Sequence, residues 1–258
     1  MTRSSEPMDY WERAGEVGYG AAMYRCAEVE RHIRGRCWQA ALDIADAIAV
    51  PPNGCVLDLG CGDGAFANSA LSTRFGTVDG LDQAEAAIHR AKADAPGANV
   101  RFRAVDITAI DYQSLPHYDA AFLMGILHHV KEASPRIVAG LAQRTNRVVV
   151  LEPNGNHPLR KLLELTPAYR RAGEDSFRTR RLIDLFTAAG FRAVVRRRMN
   201  LCPNFTPRFL YRLLAPLEPR IEASSLLNGL CTVNLFGFVA SSASTDRPDT
   251  ALEGMMGR

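Results

Sequence analysis

One carboxylate and three alternating glycines stand together in Val56-Leu57-Asp58-Leu59-Gly60-Cys61-Gly62-Asp63-Gly64-Ala65-Phe66. Glycines at 60, 62 and 64 put no Cβ between backbone and ligand, and a helix starting there offers N–H groups without partners of their own. Such a loop is suited to holding a nucleotide-like ligand. Two further carboxylates close apolar runs downstream: Asp82 after 77–81 and Asp106 after 99–105. Asp106 could accept a hydrogen bond from an exocyclic amine such as that of adenine. Histidine, the side chain suited to exchange a proton near neutral pH, occurs at His128, His129 and His157. The six cysteines show no C-x-x-C spacing, so neither a metal site nor a disulfide framework is expected. Cys61, inside the glycine loop, reads as a small apolar packing residue.

These residues need elements to bring them together. Residues 8–49 read as a helical leader, and Pro51-Pro52-Asn53-Gly54 stops it. Strands are predicted at 55–59, 77–82, near 100–105, at 119–124 and at 147–152, with helices at 64–74, 84–93, 133–144 and 176–189 between and after them. Pro135 suits a first helical turn. Two insertions interrupt this alternation, at 153–175 and at 201–229, the second aromatic and proline-punctuated with Phe205, Phe209 and Tyr211. The apolar run 232–239 supplies a last strand, and 241–258 turns polar and is expected to be a disordered tail. The chain therefore divides into a leader, 1–50, a core, 51–240, and the tail. Strand–helix alternation implies a parallel sheet covered by helices on both faces. Ligands of such sheets bind beyond the carboxyl ends of the strands, where Gly60, Asp82, Asp106 and Met124 converge.

Two families use a loop of this kind. The stretch fits the dinucleotide pattern G-x-G-x-x-G/A with Ala65 in the last place, and Asp82 satisfies either reading. Asp79 falls mid-strand and is a poor ribose ligand. The set LDLGCGDG at 57–64, GLD at 80–82, AVDI at 104–107, YDAAFLMGILHHV at 118–130 and VVVLEP at 148–153 resembles the class I S-adenosylmethionine-dependent methyltransferases, in their small-molecule branch. The resemblance covers about residues 50–200. It implies a Rossmann-like, doubly wound, seven-stranded, mostly parallel sheet with an antiparallel last strand and a helical N-terminal lid. It also implies S-adenosyl-L-methionine as cofactor. By that resemblance the backbone from Gly60 through Cys61 and Gly62 to Gly64 meets the methionine part. Asp58 orients the loop and meets the ammonium group, Asp82 with Gln83 holds the ribose, and Asp106 with Ile107 holds the adenine. Tyr19 and Tyr24 in the leader are candidates for the methionine carboxylate or the acceptor, or are helix-packing aromatics. His128, ahead of His129, is the candidate base beside the transferred methyl group, and His157 is an independent one. The pair could equally be pocket packing, and the Glu152-Pro153-Asn154 turn purely structural.

Length and composition narrow the rest. A chain of 258 residues is sized for one well-buried domain with modest additions. No apolar run of membrane-spanning length occurs, and Met1 to Pro7 lacks the apolar core of a secretory signal, so a cytoplasmic protein is expected. Residues 155–220 carry fourteen basic side chains against five acidic ones. This face is either solvated or attracts an anionic substrate, a carrier protein or RNA. The reading is methyl transfer to a small or medium-sized organic acceptor with an apolar portion, oxygen slightly favoured, and no DNA partner. RNA methylation, nicotinamide-dependent oxidoreduction and cofactor binding without turnover are the alternatives.

Overall fold

A computed structural model describes residues 6–157, 160, 165–166 and 176–241. Three helices lead: α1 (Glu6–Val17), α2 (Tyr19–Met23) and α3 (Ala27–Ala47). The helical leader is broken twice. Gly18, at φ 90°, takes a backbone that ends α1, and Tyr24 is extended and ends α2. The core follows as β1 (Cys55–Leu59), helix α4 (a π-turn over Ala67–Leu71 running into Ser72–Arg74), β2 (Thr77–Asp82), α5 (Glu85–Ala93), β3 (Val100–Ala104), β4 (Ala120–Met124), α6 (Ser134–Leu141) and β5 (Arg147–Pro153). Then come α7 (Thr179–Ala188), β6 (Phe191–Met199), α8 (Arg208–Leu214), α9 (Glu218–Ala223) and β7 (Val233–Ala240). Most of the first insertion and all of the expected tail past Ser241 lie outside the described residues.

The seven strands form one sheet in the order β3-β2-β1-β4-β5-β7-β6, with β7 antiparallel to both of its neighbours and the other pairs parallel. The order reverses between β1 and β4, which opens a crevice beyond their carboxyl ends. Strands buried on both faces read as continuous apolar runs, and their side chains alternate between two cores. Val56, Val78 and Phe122 face Ile44 of α3 and Phe66. Leu57, Leu81 and Leu123 face Val138 of α6 and Phe186 of α7. Asp79 pins the sheet, accepting from Arg101 Nε at 2.9 Å and from the Tyr118 hydroxyl at 3.0 Å, so its mid-strand place is structural.

The second insertion folds into α8 and α9 and is clamped to the leader. Glu218, wholly buried, pairs with Arg36 at 2.5 Å and His32 at 2.7 Å while its other oxygen accepts the Leu201 and Cys202 N–H groups. Arg36 also reaches Glu222 at 2.6 Å. A buried carboxylate is tolerated only when paired and hydrogen-bonded in this way.

Candidate active site

Above the β1–β4 switch lies a cleft of ≈ 320 Å³. Its floor is the glycine loop, which β2 ties down: Leu81 O accepts the Gly60 and Cys61 N–H groups at 2.7 and 3.1 Å. Asp82 accepts the Gly62 N–H at 2.8 Å on one oxygen and the Ala84 N–H at 3.0 Å on the other. The carboxylate expected at a ribose thus also joins the loop to the start of α5. Gly62, at φ 54°, lies under the Tyr19 ring, where a Cβ would come within 2.5 Å of Cε2. Gly64 also has a packing role. It stands off the cleft, and a Cβ there would strike Ala91 of α5 and Phe102 of β3, so its missing side chain lets helix and sheet close.

Asp58 is a buried carboxylate at the cleft. It lines the cleft, is 1 % exposed, and among the described residues neither of its carboxylate oxygens receives a hydrogen bond. Burial, helped by the nearby Asp82 charge, pushes its pKa up to about 8. A cationic group placed at this carboxylate would relieve that cost. Cys61 lines the same floor, and burial with the Asp58 and Asp82 charges raises its thiol pKa, which leaves it an inert packing residue.

The loop after β4 brings in the histidines. His128, buried at the cleft, gives its Nδ1–H to Glu152 Oε2 at 2.8 Å, while Oε1 of the same carboxylate accepts the Leu127 N–H at 2.8 Å. Glu152 is fully buried at the end of β5. An ionised carboxylate at Nδ1 favours the imidazole tautomer that carries its proton there, and it orients the ring. The sequence shows Glu152 only as part of a turn, because its partner lies 24 residues away. The His129 ring packs against His128, centroids 3.9 Å apart, and against Trp11 of α1 at 4.6 Å.

The leader covers the floor. Tyr19 gives its backbone N–H to Asp63 at 2.8 Å and packs its ring near Trp11. Burial and the Asp82 and Asp63 charges raise the pKa of its hydroxyl. Tyr24 lines the cleft with Arg34 lying over its ring, and burial pushes its hydroxyl up to about 12. Helix α1 itself rests on α5, where Glu12 accepts the Glu85 and Ala86 N–H groups at 2.9 and 3.1 Å. Beyond the glycine loop, Trp38, Ile33, Cys202, Pro203, Thr232 and Val233 make a largely apolar wall.

Other expected site residues fall elsewhere. Gln83 and Met124 line the cleft, but Asp106 and Ile107 do not. Asp106 is exposed and its Oδ1 accepts the Thr108 N–H and hydroxyl, whereas Ile107 is buried in the core under α6. His157 is off the cleft and burial lowers its pKa. The basic run on β6 is spent within the fold. Arg196 lies over Phe236, Arg197 pairs with Asp43 at 3.0 Å and Arg198 bonds Asn228 at 2.9 Å. Arg170 and Arg171 lie outside the described residues.

Residues 56–154 match a family model described as a methyltransferase domain. No curated protein matches the chain. Among solved structures, magnesium protoporphyrin IX methyltransferase from Synechocystis PCC 6803 with bound S-adenosylhomocysteine is 19 % identical, with a TM-score of 0.57 over 91 % of this chain and 94 % of that one. The (4+2)-cyclase SpnF is 15 % identical, with a TM-score of 0.65 over 93 % of this chain and 97 % of that one. The N-methyltransferase NodS from Bradyrhizobium japonicum WM9 is 14 % identical, with a TM-score of 0.55 over 83 % and 98 %. These likenesses establish the fold of class I S-adenosylmethionine-dependent methyltransferases. Because they include a cyclase, the fold alone does not set the chemistry.

Proposed function

We infer that the chain is a class I S-adenosylmethionine-dependent methyltransferase, and we propose that it methylates a small or medium-sized organic acceptor, with oxygen the favoured nucleophile. The observation that carries the reading is the buried Asp58 carboxylate at the switch point, lacking a donor on either oxygen. The ammonium of the cofactor would meet that carboxylate, and the backbone from Gly60 to Gly62 would hold the rest of the methionine part. Asp82 and Gln83 would receive the ribose. An adenine reaching past the cleft toward the end of β3 would meet Asp106, whose Oδ2 the Thr108 turn does not use.

Bound S-adenosylmethionine supplies a methyl group on a good leaving group, so the protein's work is alignment and exclusion of water. Trp11, Tyr19 and the rest of the leader exclude water above the loop. The apolar wall from Trp38 to Val233 receives an acceptor with an apolar portion. For a hydroxyl acceptor, His128 takes the proton at Nε2 while Glu152 stabilises the imidazolium. His129 holds His128 and Trp11 in place. No helix among the described residues is long and apolar enough to cross a membrane, and a cytoplasmic location belongs to this reading.

Incubating the protein with cofactor labelled on the methyl group and a host metabolite extract, followed by mass spectrometry, should yield a labelled small molecule. Calorimetry showing NADH bound and S-adenosylhomocysteine ignored would overturn the proposal.

A further inference from the structure

Of the eleven large hydrophobic side chains exposed among the described residues, seven fall within 205–230: Phe205, Phe209, Leu213, Leu217, Leu226, Leu227 and Leu230. Phe209, Leu213 and Leu217 recur at every fourth position through α8 and the turn after it, which sets them on one helical face. Phe209 is 76 % exposed, Leu213 69 % and Leu226 90 %. The opposite face is committed, with Tyr211 buried and Glu218 clamped between Arg36 and His32, so the apolar face cannot roll inward.

We propose that this surface docks the protein onto an anionic phospholipid bilayer. Charge complementarity selects that occupant. Exposed Arg208, Arg212 and Arg220 border the apolar face, and Arg25 joins them through its backbone bond to Asn204. Acids nearby do not cancel the arginines: Arg36 pairs with Glu218 and Glu222, Glu28 serves both Arg208 and Arg212, and the five arginines outnumber these three glutamates by two. An apolar strip rimmed by arginines is the pattern of a helix lying in the headgroup region, where the aliphatic stems reach the acyl boundary and the guanidinium groups meet phosphates. A second copy docked about a two-fold axis would set the arginine rim against itself, which disfavours a dimer. Pro203 and Asn204, just ahead of the strip, line the cleft, so docking would bring the cleft mouth to the bilayer. Docking itself does not require that methyl transfer be the reaction.

The test is sedimentation of the full chain with vesicles of phosphatidylcholine alone and of phosphatidylcholine mixed with phosphatidylglycerol. Binding should be to the anionic vesicles and should weaken as salt rises. The double substitution Phe209→Glu/Leu213→Glu should reduce it by about tenfold or more, with Arg220→Glu acting in the same direction. Unchanged S-adenosylhomocysteine affinity and Tm in these variants would show that the fold is intact. The proposal is overturned by absence of vesicle binding, by binding indifferent to the substitutions, or by a dimer in analytical ultracentrifugation that Phe209→Glu/Leu213→Glu dissolves. Burial of the strip by the chain's own 242–258 segment, shown by cross-linking, would overturn it too.

Discussion

Two sides of the cleft are built on different principles. The floor is made of strand ends and a glycine loop, whose N–H groups are held at 2.7–3.1 Å by the Leu81 carbonyl and the buried Asp82 carboxylate, between two apolar cores. The cover is made of α1 and α2, attached through side chains: Glu12 holds the start of α5, Asp63 accepts the Tyr19 N–H, and Trp11 packs on His129. A floor built into the buried end of the sheet holds its geometry whatever the ligand. A cover fixed through side chains can be released at a cost of about 1–3 kcal/mol per attachment. In a group-transfer enzyme that difference separates what must be prealigned from what must open to admit substrate.

The largest expected effect bears on the prealigned side. His128→Ala should lower kcat by about a hundredfold to ten-thousandfold while S-adenosylhomocysteine affinity changes little, if the acceptor is a hydroxyl. Glu152→Gln should lower kcat less and shift the pH profile, because an amide no longer stabilises the imidazolium. Measured turnover equal to wild type in His128→Ala would reassign the histidines to pocket packing.

Asp58→Asn sharpens the floor's electrostatics. Its carboxyl pKa is raised in the fold, to about 8, so the unfolded chain ionises first as pH rises. The apo protein therefore loses stability from about pH 4 upward and stops losing it above the folded value. Replacement by Asn should flatten that decline, making the apo variant more heat-resistant than wild type at pH 8, and should weaken S-adenosylhomocysteine binding by about tenfold or more through loss of the ammonium partner. A wild-type-like fall in Tm between pH 5 and 8, read by calorimetry, would break the assignment of the cost to Asp58.

The same contrast explains what the sequence reveals. β1 and β2 are legible to the residue because strands buried on both faces leave uninterrupted apolar runs, and Asp58 and Asp82 are legible because they end or interrupt those runs. Glu152 is not, because its bond to His128 spans 24 residues and exists only once β4 and β5 lie side by side. Glu218 is harder still: a glutamate between Leu217 and Pro219 in a proline-punctuated insertion carries no local sign of burial, yet long-range partners bury it completely. Asp106 is in register with the family motif, but the turn at Thr108 carries it to the surface and off the cleft. The leader's breaks at Gly18 and Tyr24 interrupt a helical pattern without changing its composition.

The smallest expected effect tests the cover directly. Glu12 accepts the Glu85 and Ala86 N–H groups, two donors at the start of α5 that have no partner within their own helix. Its charge also sits at the positive end of the α5 dipole. Glu12→Ala should cost about 1 kcal/mol at this attachment, the usual cost of losing a helix cap. The floor would keep its shape, because none of its bonds pass through Glu12. Loss should therefore show as about fivefold faster amide hydrogen exchange in α1 and α2, with β1, β2 and α5 beyond its first turn unchanged. S-adenosylhomocysteine would dissociate faster for the same reason, since Trp11 and Tyr19 close over the glycine loop only while α1 is seated on α5. If exchange accelerates equally in β1 and β2, then cover and floor form one cooperative unit, and the division between them fails.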